Sequence, residues 1–75
     1  MDALEFDVTA SCRHLGRMLK DIKFKPNILV ACINRMGKAI VPGGFDSFEE
    51  GDTVIVINSA NRVILDLNDI FADEA

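Results

Sequence analysis

His14 is the single histidine of the 75-residue chain, and Cys12 and Cys32 are its two cysteines. With the adjoining Glu49 and Glu50, these are the side chains whose types suit acid–base, nucleophilic or soft-metal chemistry. Their spacing argues against all three. No nucleophile or carboxylate is placed to work with His14, which is expected on the polar, exposed side of a helix. Cys12, beside Ser11 near an expected helix start, sits where a helix dipole can lower a thiol pKa. With no base nearby, burial as a small apolar residue is the expectation for both cysteines. No C-x-x-C pair occurs, and one histidine with two cysteines gives too few soft ligands for zinc. Glu49 and Glu50 precede Gly51 and read as a turn. No G-x-G-x-x-G opens a βαβ unit, so dinucleotide binding of that kind has no seat here. A small enzyme therefore ranks last among the function classes.

Bulk properties point to a binding or pairing module instead. The formal net charge is −4, which argues against nucleic-acid polymers, because these need a counterion-releasing basic surface. One local pocket for a small anion stays open: the basic residues fall between Arg13 and Lys38, with one more at Arg62. Hydrophobic residues make up 49% of the chain. A domain this small buries only about 60% of the surface that its unfolded chain exposes. The apolar excess therefore implies a face that needs a sister copy or the rest of a longer protein. No apolar run reaches membrane-spanning length and no signal peptide is present, so direct membrane insertion is not expected. A disulfide between Cys12 and Cys32 is possible but unsupported, and a reduced cytosolic setting is the expectation. Residues 1–75 read as one domain, and a start almost directly in a strand pattern suggests a piece of something longer.

The elements that must position these residues follow from periodicity. Leu4, Phe6 and Val8 alternate with polar residues, a half-buried strand. Leu15, Met18, Leu19 and Ile22 recur at helical spacing after Ser11 as N-cap, with Gly16 costing up to about 1 kcal/mol relative to alanine. Pro26 stops that helix, and Lys23-Phe24-Lys25 is an exposed connector. Residues 28–33 and 53–57 are unbroken apolar runs, read as strands buried on both faces. Residues 39–42 pair back on the first through a bend at Met36-Gly37. Pro42 ends that strand, and residues 45–48 form a short extra strand or turn. Asn58 to Asn61 breaks the last strand and offers an N-cap. Val63, Ile64, Leu67, Ile70 and Phe71 then predict a closing helix, with residues 72–75 fraying. The fold class is α+β: a small β-α-β-β-(β)-β-α domain with one sheet and two helices.

These words in this order resemble the C-terminal lobe of RCK proteins, the TrkA-C domain. The matching words are Leu15-Gly16-Arg17-Met18-Leu19-Lys20-Asp21-Ile22, then Lys25-Pro26-Asn27-Ile28-Leu29-Val30-Ala31-Cys32-Ile33. Arg35-Met36-Gly37-Lys38-Ala39-Ile40-Val41-Pro42-Gly43-Gly44 follows, and then Phe48-Glu49-Glu50-Gly51-Asp52-Thr53-Val54-Ile55-Val56-Ile57. No single word is specific; the ordered set is, and it covers roughly residues 4–71.

The resemblance implies a cytoplasmic regulatory module of a bacterial potassium uptake system of the Trk or Ktr type. Such a module lies peripheral to the inner face of the membrane through its transporter. It implies an N-terminal nucleotide-binding RCK lobe elsewhere in the system, and pairing of this lobe as a homodimer. In several members the dimer cleft accepts cyclic di-AMP, which makes that the leading ligand; no cofactor is implied within this fragment. Carried over by position, the cleft residues are Ile22, Lys23, Phe24, Asn27, Arg35 and Pro42. Asn27 has the donors and acceptors to read an adenine edge. Arg35 or Lys23 can meet a phosphate. Ile22, Phe24 and Pro42 can floor the base. The connector is shorter than in Ktr-like members, with Pro26 in it, and no histidine sits at the hairpin. The alternative is a ligand-free dimerisation module of a transporter regulator.

Overall fold

The computed structural model describes residues 1–72. Four strands form one antiparallel sheet: β1 (Asp2–Asp7), β2 (Ile28–Arg35), β3 (Lys38–Ile40) and β4 (Thr53–Asn58), in the order β1-β4-β2-β3. β4 is β-branched at five of its six positions, the residue type that packs best on a pleated surface, and it takes a partner on each side. Leu4 and Val30 flank Val56, and Phe6 and Ile33 flank Val54. These side chains share one face and make the sheet's contribution to the core. Val30 and Ile33 are three residues apart, which strict alternation would send to opposite faces. A bulge between Val30 and Cys32 absorbs the extra residue and returns Ile33 inward. β2 and β3 join through Met36 and Gly37, at φ 51° and 80°, the left-handed pair that a two-residue hairpin turn requires.

The apolar runs are not buried on both faces. Leu29 lies opposite Ile57 on the outer face and is 60% exposed, and Ile55 and Ile57 are only half-buried. The expectation mistook a continuous apolar run for a two-sided burial; the bulge and an unpartnered outer face account for the run instead.

The two expected helices are also absent. Leu19–Asp21 is one 3-10 turn in place of the first helix, and Leu67–Ile70 is another in place of the closing one. Gly16 sits at φ 79°, outside helical space. The backbone N–H groups of Gly16, Leu19 and Lys20 then donate to the carbonyls of Phe48, Asp46 and Gly44 at 2.8, 2.8 and 2.9 Å. Met18 bridges Ser47, so residues 45–48 contribute an isolated bridge and no strand of their own. Tertiary partners thus replace the helical ladder that the i, i+3, i+4, i+7 pattern predicts. The closing turn is capped at Asp66, not at Asn58 to Asn61: Asp66 accepts from Asn68 N–H, and Asp69 reaches back to the Asp66 N–H in a capping box. Ala72, expected to fray, donates its N–H to Lys23 O at 2.9 Å; the rest of that expectation lies outside the described residues.

This irregular layer covers the sheet. Val8, Cys12, Ile22, Phe48, Ile64, Leu67, Ile70 and Phe71 complete the core. Phe71 is its hub, with ring centroids of His14, Phe24 and Phe48 at 4.6, 5.9 and 6.2 Å. His14 is therefore buried against an aromatic ring, not exposed on a helix as the sequence suggested.

Asn58, at the end of β4, is fully buried and sets the chain's exit from the sheet. Its Nδ2 donates to Arg62 O at 2.9 Å, and its Oδ1 accepts from Ala60 N–H at 3.2 Å. Arg62 in turn donates to Pro26 O at 2.9 Å, tying that exit to the start of β2. Asn58→Ala leaves two part-buried backbone groups, Ala60 N–H and Arg62 O, without their partner and is expected to cost about 1–2 kcal/mol. Urea unfolding checks this: the midpoint falls while the m-value holds.

Candidate functional site

A groove of about 260 Å³ opens where β2 begins. Leu19, Phe24, Ile28, Leu29 and Val30 form its apolar floor, Pro42, Gly43 and Gly44 its wall, and Lys20 brings the one charge. The wall is positioned by the backbone bonds of Leu19 and Lys20 to the loop after β3, and by Gly43 N–H donating to Asp46 Oδ2 at 2.7 Å. Gly44 is needed for closeness: a Cβ there would stand 3.2 Å from Lys20 Cβ. The Lys20 ammonium lies 3.2 Å from the exposed Asp21 and 5.9 Å from the Phe45 ring centroid. An exposed adjacent pair of this kind is weak, so the ammonium can turn to an incoming anion.

The six candidate residues are placed unequally. Phe24 and Pro42 come together in the groove. Phe24 is half-buried; it forms a bridge with Phe71, flanked by Lys25 N–H donating to Ile70 O at 2.9 Å. Lys23 is exposed on the same connector, outside the groove lining. Ile22 points into the core rather than the groove. Asn27 stands outside the lining, at φ 64°, a conformation asparagine tolerates in turns, with its carbonyl accepting from Ser59 N–H at 3.0 Å.

Arg35 lies at the far end of β2, turned toward the Glu50-Gly51-Asp52 turn. Its Nε and Nη2 donate to the two carboxylate oxygens of Asp52, both at 2.9 Å, and Nη2 also donates to Ser47 O at 2.8 Å. Nη1 lies 3.3 Å from Glu49 Oε2. All three guanidinium nitrogens face acceptors of this chain, and a phosphate approaching them would meet two carboxylates. Asp52 is buried and also accepts from Glu49 N–H at 2.9 Å. The Arg35 hydrogen bonds hold its carboxyl below the usual carboxylate range, against the opposing effect of burial. The same bonds raise the Arg35 guanidinium.

Three residues of the groove, Lys20, Gly43 and Gly44, lie outside the candidate set: Lys20 falls in the stretch expected to be helical, and the two glycines follow the proline expected to end a strand. Consecutive glycines after Pro42 were the available signal for a wall without side chains. Cys12 has no helix N-terminus beside it; burial pushes its thiol up, with the backbone hydrogen bond from His14 acting the other way. Among the described residues no cluster of three potential metal-ligating side chains occurs, and no helix is long and apolar enough to cross a membrane.

The TrkA-C domain model matches residues 3–71. The Trk system potassium uptake protein TrkA homolog 2 of Methanosarcina mazei is 28% identical over 71 residues, which is 95% of this chain and 16% of that protein. A solved RCK domain with cda superimposes at a TM-score of 0.68 and 24% identity, covering 79% of this chain and 83% of that one. At that identity the likeness speaks to the fold.

Arg35→Met removes the partner of a buried carboxylate and is expected to cost about 3 kcal/mol, with Arg35→Lys recovering only part because an ammonium lacks the planar fork. The pH dependence has a definite sign. A depressed folded-state pKa stabilises above the unfolded value, and that stability drains as pH falls below about 4. Acid titration of unfolding stability should show this limb in the natural chain and lose it in Arg35→Met. Thiol labelling of the folded protein should modify the half-buried Cys32 first, with Cys12 reacting on the timescale of unfolding.

Proposed function

The chain belongs to the TrkA-C domain family, and from that premise we propose that its groove is half of a ligand site closed by a second copy. The ligand is a small anion, with cyclic di-AMP the leading candidate, and the setting is a regulator of a potassium uptake system. The observation that carries this reading is the meeting of Phe24 and Pro42, two residues assigned by position, in one groove with Lys20 at its edge. Size supports the two-copy arrangement. At about 260 Å³ the groove falls below the roughly 300–1,000 Å³ of pockets that enclose a drug-sized ligand. It suits one base, so a two-base ligand would span two grooves across a two-fold axis. The solved RCK domain with cda has a similar fold.

In this reading Phe24 and Pro42 sandwich the base, Lys20 meets phosphate, and Lys23 and Asn27 stand at the rim where the second copy approaches. Ile22 supports Phe24 from the core. Arg35 holds the loop that ends in the groove wall. Ligand binding favours one dimer geometry, and an attached RCK lobe passes that preference to a membrane potassium transporter on the cytoplasmic side. The M. mazei relative bears a potassium-uptake name, and this chain spans 16% of it, so the remainder of such a system lies in other domains.

A ligand-free pairing module is the second reading, favoured by the apolar outer face around Leu29, Ile55 and Ile57. Calorimetry on the folded dimer separates the two. Cyclic di-AMP should release heat, and Phe24→Leu should weaken binding about tenfold, since stacking on an aromatic ring contributes about 1–3 kcal/mol per base. No heat at high micromolar ligand, with the dimer confirmed by sedimentation, rejects that ligand. A thermal midpoint unmoved by any nucleotide favours the pairing module.

A further inference from the structure

Three consecutive residues of β2, Ile28, Leu29 and Val30, all line the groove. Side chains alternate between faces along a strand, so a groove lying over one face would meet only every second residue. What three neighbours in a strand share is their main-chain edge. β3 covers only the far end of β2: its pairs are Ile33 with Ile40, Asn34 with Ala39 and Arg35 with Lys38. Beyond Ile33 the chain leaves through Val41 and Pro42, and among the described residues nothing pairs with β2 on that side of Ile28, Leu29 and Val30. The groove is therefore floored by an open sheet edge.

We infer that this open edge reads the ligand, through main-chain groups rather than side chains. In an antiparallel strand alternate residues turn both N–H and C=O to the same side. One such residue presents a donor beside an acceptor, spaced as in a half-formed ladder. The matching ligand is a planar heterocycle with a ring-nitrogen acceptor beside an exocyclic amino donor, the Watson–Crick edge of adenine. Three features of the groove fit a flat ring bound edge-on to a strand. The opposite wall is Gly43-Gly44, without side chains to obstruct the ring. Phe24 and Pro42 supply apolar surfaces for its faces. Lys20 places positive charge at the groove for the phosphate that continues from it. The inference rests on the ligand site proposed above and adds the feature that would select the base.

The test uses the 75-residue chain with cyclic di-AMP and two analogues, one with purine replacing adenine, so lacking the amino group, and one with 7-deazaadenine, which keeps the Watson–Crick edge. The purine analogue should bind at least about tenfold more weakly, and the 7-deaza analogue within about twofold of the parent. Amide hydrogen exchange gives the second readout. An amide within residues 28–30 should exchange freely in the unliganded dimer and gain at least about tenfold protection on binding. Equal affinity for parent and purine analogue, or binding without protection at those amides, overturns the main-chain reading while the ligand site stands. Protection already complete in the unliganded dimer means that another strand, from the second copy, occupies the edge, and this too overturns it. Failure of all three compounds to bind overturns both the inference and the site it rests on.

Discussion

A sheet with one apolar face must cover that face, and the described residues do so without a helix of more than one turn. That constraint governs the rest. Irregular backbone laid over a core brings polar N–H and C=O groups into partly dry surroundings, where each needs a partner. The pairings are accordingly specific: Gly16, Leu19 and Lys20 with the loop at residues 44–48, and Lys23 and Lys25 with the segment at Ile70 and Ala72. Phe71 fills the middle of this layer, and its aromatic neighbours come from three separate stretches of sequence. The loops are thus held by the same long-range contacts that build the core, and the groove inherits that fixity.

Arg35 and Asp52 make the polar counterpart of Phe71. Asp52 is buried at the turn before β4, where an unpaired carboxylate would be costly, and the bidentate fork of Arg35 neutralises it. A third bond reaches Ser47 O, so the end of the β2–β3 hairpin is fastened to the loop that goes on to bond Leu19 and Lys20. An arginine at a hairpin invites a ligand role from position alone. Its geometry places it at the far end of β2 from the groove, where its bond to Ser47 O holds the loop that continues from the groove wall.

The groove exists because β3 is short. Proline at residue 42 lacks the N–H that would extend the ladder, and the two glycines after it turn away toward Lys20. The first half of β2 is left with one free edge, and the bulge at Val30 and Cys32 marks the boundary between its covered and uncovered parts. Exposed strand edges are ordinarily blunted with charge or covered. This one faces an apolar groove with Lys20 beside it, an arrangement that suits a small polar occupant better than bare solvent.

The sequence by itself determined the strands and the one hairpin that joins β2 to β3; the β1-β4-β2-β3 order came from the tertiary structure. Alternation at Leu4, Phe6 and Val8, β-branched density after Asp52, and the Met36-Gly37 turn are local signals, and local sterics decide them. It also carried the family, through the order and spacing of words that no single motif specified. It did not determine the helices. The helical spacing of Leu15, Met18, Leu19 and Ile22 is real, but Gly16 at positive φ and the loop carbonyls of residues 44–48 compete for the same N–H groups, and those partners are remote in sequence. Likewise, Phe24 and Pro42 were identifiable by position, while the groove they share with Lys20, and the burial of His14 and Ile22, came only from packing. Which residues face one another across a loop-built layer depends on contacts far apart along the chain, and no local periodicity encodes them.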